Sequence, residues 1–382
     1  MVVYPGETVT IGSDSEPNSI RSGNTIPTNY WNFAGFTILG QCANAMWGSN
    51  YWRWVGNSIS CPTGNGQGGC YTPIEATYLY TYGNDFNNMG VTGASAEYQG
   101  VYLATDSNYQ DFGWNVVANA NGCRGIQTHS APNGPGTLGY NLYSISIHDN
   151  IIHDTACDGI VGDTLSPNLG PVTIYNNVFY NTGKSTPPEG TGDWSGLEFP
   201  LYTEAGPEGS GDIYVFNNTF YAWGLNNNPP YGESEYAINW GQEGTGVYFN
   251  LQNNLLLSVA TTQFSSGVPY LGSANSSYFI GSNNAIYGAG TSSGESSMTG
   301  FVTANPNLTS PTTYNFVPLS GSPVIGAGVV VAGVTPFGFN NMSRDINGLT
   351  RPSTPSIGAY ELSGAVAVNP PNPPTNLTVA VQ

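Results

Sequence analysis

Five segments of this chain share one frame: SISIHDNIIH (144–153), PVTIYNNVFY (171–180), DIYVFNNTFY (212–221), FNLQNNLLLS (249–258) and YFIGSNNAIY (278–287). Each is an alternating apolar strand, an Asn-Asn or Asp-Asn pair, and a second alternating strand. The second residues of the pairs, Asn150, Asn177, Asn218, Asn254 and Asn284, recur at intervals of 27, 41, 36 and 30 residues. A unit of that size is too thin to bury its own apolar face, so such units must stack on one another. Period-two alternation sends Ile147, Ile174, Val215 and Leu251 into one inward column before the pair. After it, Ile152, Phe179, Phe220, Leu256 and Ile286 form another, with His153, Tyr180, Tyr221, Leu257 and Tyr287 facing outward. An Asn at one fixed turn of every coil can hydrogen-bond to the Asn above and below, making a ladder along the stack.

The N-terminal part repeats in the same way. NYWNFAGFTIL (29–39) and NYWRWVGNSIS (50–60) match in frame, and YLYTYGNDF (78–86) continues the pattern, giving about nine coils. Each coil carries a third strand with a small residue followed by an aliphatic: Gly100-Val101, Gly125-Ile126, Gly159-Ile160, Gly196-Leu197 and Ala237-Ile238. Strand-loop coils without helical periodicity predict an all-β parallel β-helix. A β-propeller is the rival, but its four-stranded blades need ~40–45 residues each, more than most of these coils hold.

The segments CRGI (123–126) and CDGI (157–160) occupy the same place in adjacent coils. Stacked strands lie about 4.8 Å apart, inside the Cα window of roughly 4.4–6.8 Å for a disulfide. A Cys123–Cys157 bond and an Arg124–Asp158 pair follow as expectations. Cys61 and Cys70 are expected to close the CPTGNGQGGC loop, leaving Cys42 free.

Only 8% of the residues are charged, and six Lys+Arg face 24 Asp+Glu for a net charge of -18. Phosphate binding needs clustered Lys and Arg, so nucleic acid and anionic membrane surfaces are not expected partners. No run of 18 apolar residues is present to span a bilayer. The start, MVVYPGETVT, has neither the basic region nor the long apolar stretch of a signal peptide, and reads as a chain whose leader has been removed. Five cysteines in this setting fit an oxidising, extracellular location.

The Asn ladder resembles the right-handed parallel β-helices of pectate-lyase-like proteins. LSGSPVIGAG (319–328), DINGLTRP (345–352) and PSIGAYE (355–361) are similar to the closing segment of many secreted bacterial β-helix proteins. The resemblance covers 1–362 and implies fold and secretion, with members that are lyases, glycoside hydrolases, epimerases, carbohydrate-binding modules and adhesins. The remaining stretch, 363–382, is a Pro-rich linker, and its PPTNLTVAV looks like the first strand of a fibronectin type III domain. A monomer within a longer modular protein is the expectation.

The resemblance also implies that a polysaccharide lies across the outward residues of the sheet carrying Gly-Ile. Those residues are Tyr102, Gln127, Val161, Glu198 and Asn239, and two positions further on Ala104, His129, Asp163, Pro200 and Gly241. His129 and Asp163 are then neighbours in adjacent coils, with Glu198 one coil further and diagonal to Asp163. One coil step and a two-residue step separate the two backbones by roughly 8 Å, in the range of an inverting glycosidase. Glu198 would be the acid and Asp163 the base, with His129 tuning Asp163 or binding substrate. Tyr102, Gln127, Asn239 and Arg124 would line the substrate path. The plain alternative is that polar residues on a solvated sheet have no special role.

A calcium-assisted lyase is the competing enzyme. The cations Arg21, Arg53, Arg124, Lys184, Arg344 and Arg351 are dispersed, and a net charge of -18 repels a polyuronate unless calcium bridges it. Asp154, Asp158, Asp163 and Asp193 are the acids that could hold such an ion, without a recognisable loop spacing; no cofactor is otherwise called for. His148 and His153 read as rings in aromatic columns, no His/Cys spacing suggests zinc, and the disulfide would remove the thiol of HDTACDG (153–159) from nucleophilic chemistry. A third reading is a non-catalytic glycan-binding module. Trp31, Trp47, Trp52, Trp54, Tyr78, Tyr80 and Tyr82 crowd the first coils, and alternation would turn about half outward as an aromatic strip that includes Trp52 and Trp54; the equal alternative is that these rings fill a wide interior and cap the open end of the solenoid.

Overall fold

The computed structural model describes residues 1–362 apart from 16–18, 23–25, 41–42, 45–47, 65–67, 94–97, 131–140, 185–193, 200–209, 226–234, 241–245, 262–263, 274–275 and 289–296. Cys42, Trp47, Asp193, Pro200, Gly241 and the expected linker 363–382 lie outside the described residues. The fold is a right-handed parallel β-helix built from three long sheets. Sheet A holds nine strands, from Asn32–Ala34 to Phe279–Ser282, and lies before the Asn turn. Sheet B holds ten, from Thr10–Gly12 to Ala285–Tyr287, and lies after it. Sheet C, nine strands from Ile20–Arg21 to Leu271–Ser273, carries the Gly-Ile pairs. Among the described residues there is no helix long and apolar enough to cross a membrane.

Each strand pairs in parallel with its counterpart one coil away, so the columns read from alternation are real. Ile147, Ile174, Val215 and Leu251 are consecutive partners in sheet A, and Ile152, Phe179, Phe220, Leu256 and Ile286 in sheet B. Most are fully buried in one continuous core, and Ile286 packs against it.

The Asn turn explains why the repeat is a pair. The first residue of each pair adopts the left-handed conformation, at φ 55° for Asn176, Asn217 and Asn253, which Asn tolerates better than a branched residue. Glycine fills the same place in early coils, at Gly35, Gly56 and Gly83. The second Asn points inward. Its Nδ2 donates to Oδ1 of the Asn in the next coil, at 2.9 Å for Asn150 to Asn177 and 3.0 Å for Asn177 to Asn218. That same Oδ1 also accepts the backbone N–H of the previous Asn. The ladder runs further than the pairs suggest, from Asn57 through Asn84 and Asn115 to Asn284.

The small residue of sheet C has an equally local cause. A Cβ on Gly159 would lie 2.6 Å from the carbonyl oxygen of Gly196 and 3.0 Å from the Phe179 ring. Both expected disulfides form, Cys123–Cys157 with Cα atoms 4.7 Å apart and Cys61–Cys70 at 5.8 Å.

The outward faces depart from expectation because the C-terminal segment folds back over them. Leu308, Phe316, Val324, Ile346, Ile357 and Ala359 form a second core on the outside of sheet B, against Val178, Leu255 and Leu257. The segment also grips the Asn turn, where Gly358 N donates to Asn253 O at 2.7 Å and Arg351 Nη2 to Asn176 Oδ1 at 3.0 Å. The early aromatics also need correction. Trp52 and Trp54 are buried in the core, at 3% and 0% exposure, so neither belongs to an outward strip. Their rings pack inside the first coils, where Trp54 stacks on Phe33 at 4.7 Å.

Asn177 makes two donor and two acceptor contacts inside the ladder. Replacing it with Ala strands buried groups on both neighbours, each net bond being worth about 1 kcal/mol and each orphaned group more. Chemical denaturation should show Asn177→Ala less stable by about 3 kcal/mol or more, against less than about 0.5 kcal/mol for exposed Asn315→Ala.

Candidate functional site

Register in sheet C places Tyr102, Gln127, Val161, Glu198 and Asn239 in one row across five coils. Arg124, Asp158 and Ser195 stand three positions upstream of the row, and Arg124 and Ser195 reach its side chains at Gln127 and Glu198. Arg124 Nη1 donates to Gln127 Oε1 at 2.9 Å, and Gln99 Nε2 donates to the same oxygen at 2.6 Å. The expected Arg124–Asp158 pair is present, with Nε 4.0 Å from Oδ2. Asp158 Oδ1 accepts the backbone N–H of Ser195 at 2.8 Å, and the Ser195 hydroxyl donates to Glu198 Oε2 at 3.3 Å. A polar chain thus runs from Gln99 to Glu198 over four coils.

His129 and Asp163 meet as expected. His129 Nε2 lies 3.5 Å from Asp163 Oδ2, and the other ring nitrogen, Nδ1, lies 2.8 Å from the Tyr102 hydroxyl. A neutral imidazole that accepts from the phenol at Nδ1 carries its proton on Nε2, facing the carboxylate. Asp163 is fixed from behind, its backbone N–H donating to Thr128 Oγ1 at 3.0 Å. Tyr102, His129 and Asn239 are partly exposed, whereas Gln127, Asp163 and Glu198 are at most 3% exposed. The face is therefore not the solvated sheet of the plain alternative. It is a dry polar floor with three partly open groups, where electrostatic interactions are stronger than in water.

Of the acids considered for calcium, the three that are described each have other partners. Asp154 pairs with His153 and Lys184, Asp158 with Arg124 and Ser195, and Asp163 with His129. Among the described residues no three His, Cys, Asp or Glu side chains gather as a metal site. His153 stacks on Tyr180 at 4.5 Å and His148 on Tyr175 at 4.9 Å, as their columns require.

Two features escaped the sequence reading. One is a stack of Tyr30, Tyr51, Tyr78 and Tyr109, with ring centroids 4.8, 4.8 and 4.4 Å apart. All four residues are left-handed, with φ between 58° and 65°, which only the backbone could reveal. The other is Glu235, which stands where the adjacent coils place Trp194 and Val268, with neither carboxyl oxygen hydrogen-bonded among the described residues. Burial pushes its acid up to about 7.

No protein-family model matches the chain, and no curated protein is similar to it. Among solved structures the chain is similar to pectate lyase Pel9A, with a TM-score of 0.45 and 15% identity over 95% of this chain and 87% of that one. A likeness at that level assigns neither a residue nor an activity.

Glu235 gives a pH test of the core. Its folded acid is weaker than its unfolded one, so its full contribution to stability exists below pH ~4.5 and is lost as pH rises through ~7. Glu235→Gln should remove up to about 3 kcal/mol of stability loss across that window, measured as the difference between the two proteins' denaturation curves.

Proposed function

We propose that the protein is a secreted, carbohydrate-active hydrolase that cleaves a neutral polysaccharide along the outer row of sheet C. The observation that carries the reading is the relay Tyr102–His129–Asp163 beside the Glu198 coil, set in a row that is otherwise nearly dry. In this reading Glu198 protonates the departing glycosidic oxygen and Asp163 takes the proton of the attacking water, held in orientation by His129. The roughly 8 Å backbone step between them leaves room for that water and so favours inversion. Tyr102, Gln127 and Asn239 line the path on either side.

Arg124 favours a neutral glycan over a polyuronate. Its guanidinium is already directed at Gln127 and Asp158, so the row presents no uncommitted cation to a substrate carboxylate. The two disulfides fit an oxidising, extracellular setting. A non-catalytic binding module is the second reading. It now rests on the tyrosine stack and on Tyr30 and Trp31, which are 67% and 41% exposed, instead of on Trp52 and Trp54.

The test is release of new reducing ends from a panel of neutral and acidic polysaccharides, with calcium and with a chelator. Release from a neutral glycan should survive the chelator. Glu198→Gln and Asp163→Asn should each lower kcat about 10²–10⁴-fold, and His129→Gln less, about 10-fold. No release from any glycan would leave only the binding module; release of unsaturated ends that needs calcium would establish a lyase instead.

A further inference from the structure

His148 belongs to none of the chemistry above, yet it is the most enclosed ionisable bridge among the described residues. It stands at the end of the sheet A strand Ile145–His148 and is 0% exposed. Its Nε2 lies 2.8 Å from Asp111 Oδ1, on the preceding coil, and its Nδ1 lies 2.7 Å from Asp149 Oδ2. Carboxylate oxygens only accept hydrogen bonds, so both ring nitrogens must carry protons to satisfy this geometry. An imidazole with one proton would turn a lone pair towards one of the two carboxylates.

The same two carboxylates hold the C-terminal segment. Phe339 N donates to Asp111 Oδ2 at 2.6 Å, and Asn341 Nδ2 donates to both oxygens of Asp149 at 3.0 Å. Gly338, at φ +77°, comes so close that a Cβ there would overlap the Asp111 carboxylate. The other groups facing the bridge are accounted for. The Tyr82 hydroxyl donates to Asp111 Oδ2, Asn176 Nδ2 donates to Asp149 Oδ1, and the Tyr175 hydroxyl bonds the backbone of Phe339 and Asn341. Trp114 packs edge-on to His148 at 4.7 Å and touches Phe339 at 5.1 Å. Arg351 is the cation that interacts with Asp149 from the segment itself.

We propose that Asp111, His148 and Asp149 form a proton-controlled latch that clamps residues 337–341 onto sheet A while His148 carries both ring protons and lets them lift when it loses one. Loss of the proton leaves two buried carboxylates with one shared donor fewer, and their repulsion is relieved most cheaply by admitting water beneath the segment. Burial alone would strip the proton from His148, but its hydrogen bonds to Asp111 and Asp149, and their charges, outweigh burial and raise it to about 9. The sign is that of a raised base: the clamp is at full strength below the ordinary histidine value near 6.5 and is lost as pH rises through ~9. The latch lies on sheet A, away from the row in sheet C, and does not depend on the proposed hydrolysis.

Amide hydrogen exchange of 335–345, corrected for intrinsic rates, tests it on the intact chain. Protection of Phe339 and Asn341 should fall about tenfold per pH unit between ~7 and ~9, while protection along the Asn ladder holds. His148→Gln should show low protection of the segment with no pH dependence. Asn341→Ala, which spares the bridge, should lower protection by a similar factor at every pH and keep the slope. A wild-type segment whose protection does not change from pH 6 to 10 would overturn the latch, as would a His148→Gln protein that keeps the wild-type profile. If His148→Gln does not fold, the wild-type slope and Asn341→Ala decide.

Discussion

Everything in this molecule hangs on the bifurcated acceptor of the ladder asparagines. From Asn84 onward each Oδ1 takes a side-chain N–H and a backbone N–H from the coil before it, so one amide fixes both the side chain and the turn of its neighbour. Parallel sheets lack hairpins to set register, and loops here vary in length from coil to coil. The ladder resets the register once per coil, whatever the intervening loop does. That is why His129 and Asp163, separated by 34 residues of chain, arrive 3.5 Å apart.

A stacked architecture turns a single residue choice into a column, and the columns differ in what they tolerate. The ladder column accepts only an amide of one length. The turn column beside it accepts Asn, Asp, Gly and, at Trp114, a large ring, because its demand is a left-handed backbone and nothing else. The small column of sheet C is set by the carbonyl of the next coil. Glu235 breaks its column, standing where neighbouring coils place Trp194 and Val268, and its acid is shifted by burial accordingly.

The C-terminal segment gives the solenoid its second layer. A bare β-helix would leave Tyr180, Tyr221 and Leu257 on a solvated face, but the segment converts that face into a core. On the adjoining edge it must cross two buried aspartates, which His148 bridges from one to the other. The proposed clamp and the polar row of sheet C are thus separate uses of buried charge, one to hold chain and the other, in the proposed function, to act on a glycan.

The sequence alone determined the columns. Period-two alternation around a recurring amide is a local property, so Ile147 and Ile174, the Cys123–Cys157 bond and the row from Tyr102 to Asn239 could all be read in order. Alternation reports only the direction of a side chain, however, and not what lies opposite it. Trp52 and Trp54 were expected outward and lie in the core, packed with Phe33. Gln127, Asp163 and Glu198 point out of the sheet as expected, yet are nearly dry. The ladder partners Asn57, Asn84 and Asn115 were hidden because the residue before each is Gly or Trp, so no pair marked them. His148 looked like one more ring in a stack until the return of residues 337–341, nearly two hundred positions later, gave its flanking aspartates something to hold. Direction is written in the spacing of neighbouring residues; burial, charge state and partnership depend on distant chain, and only the tertiary structure decided them.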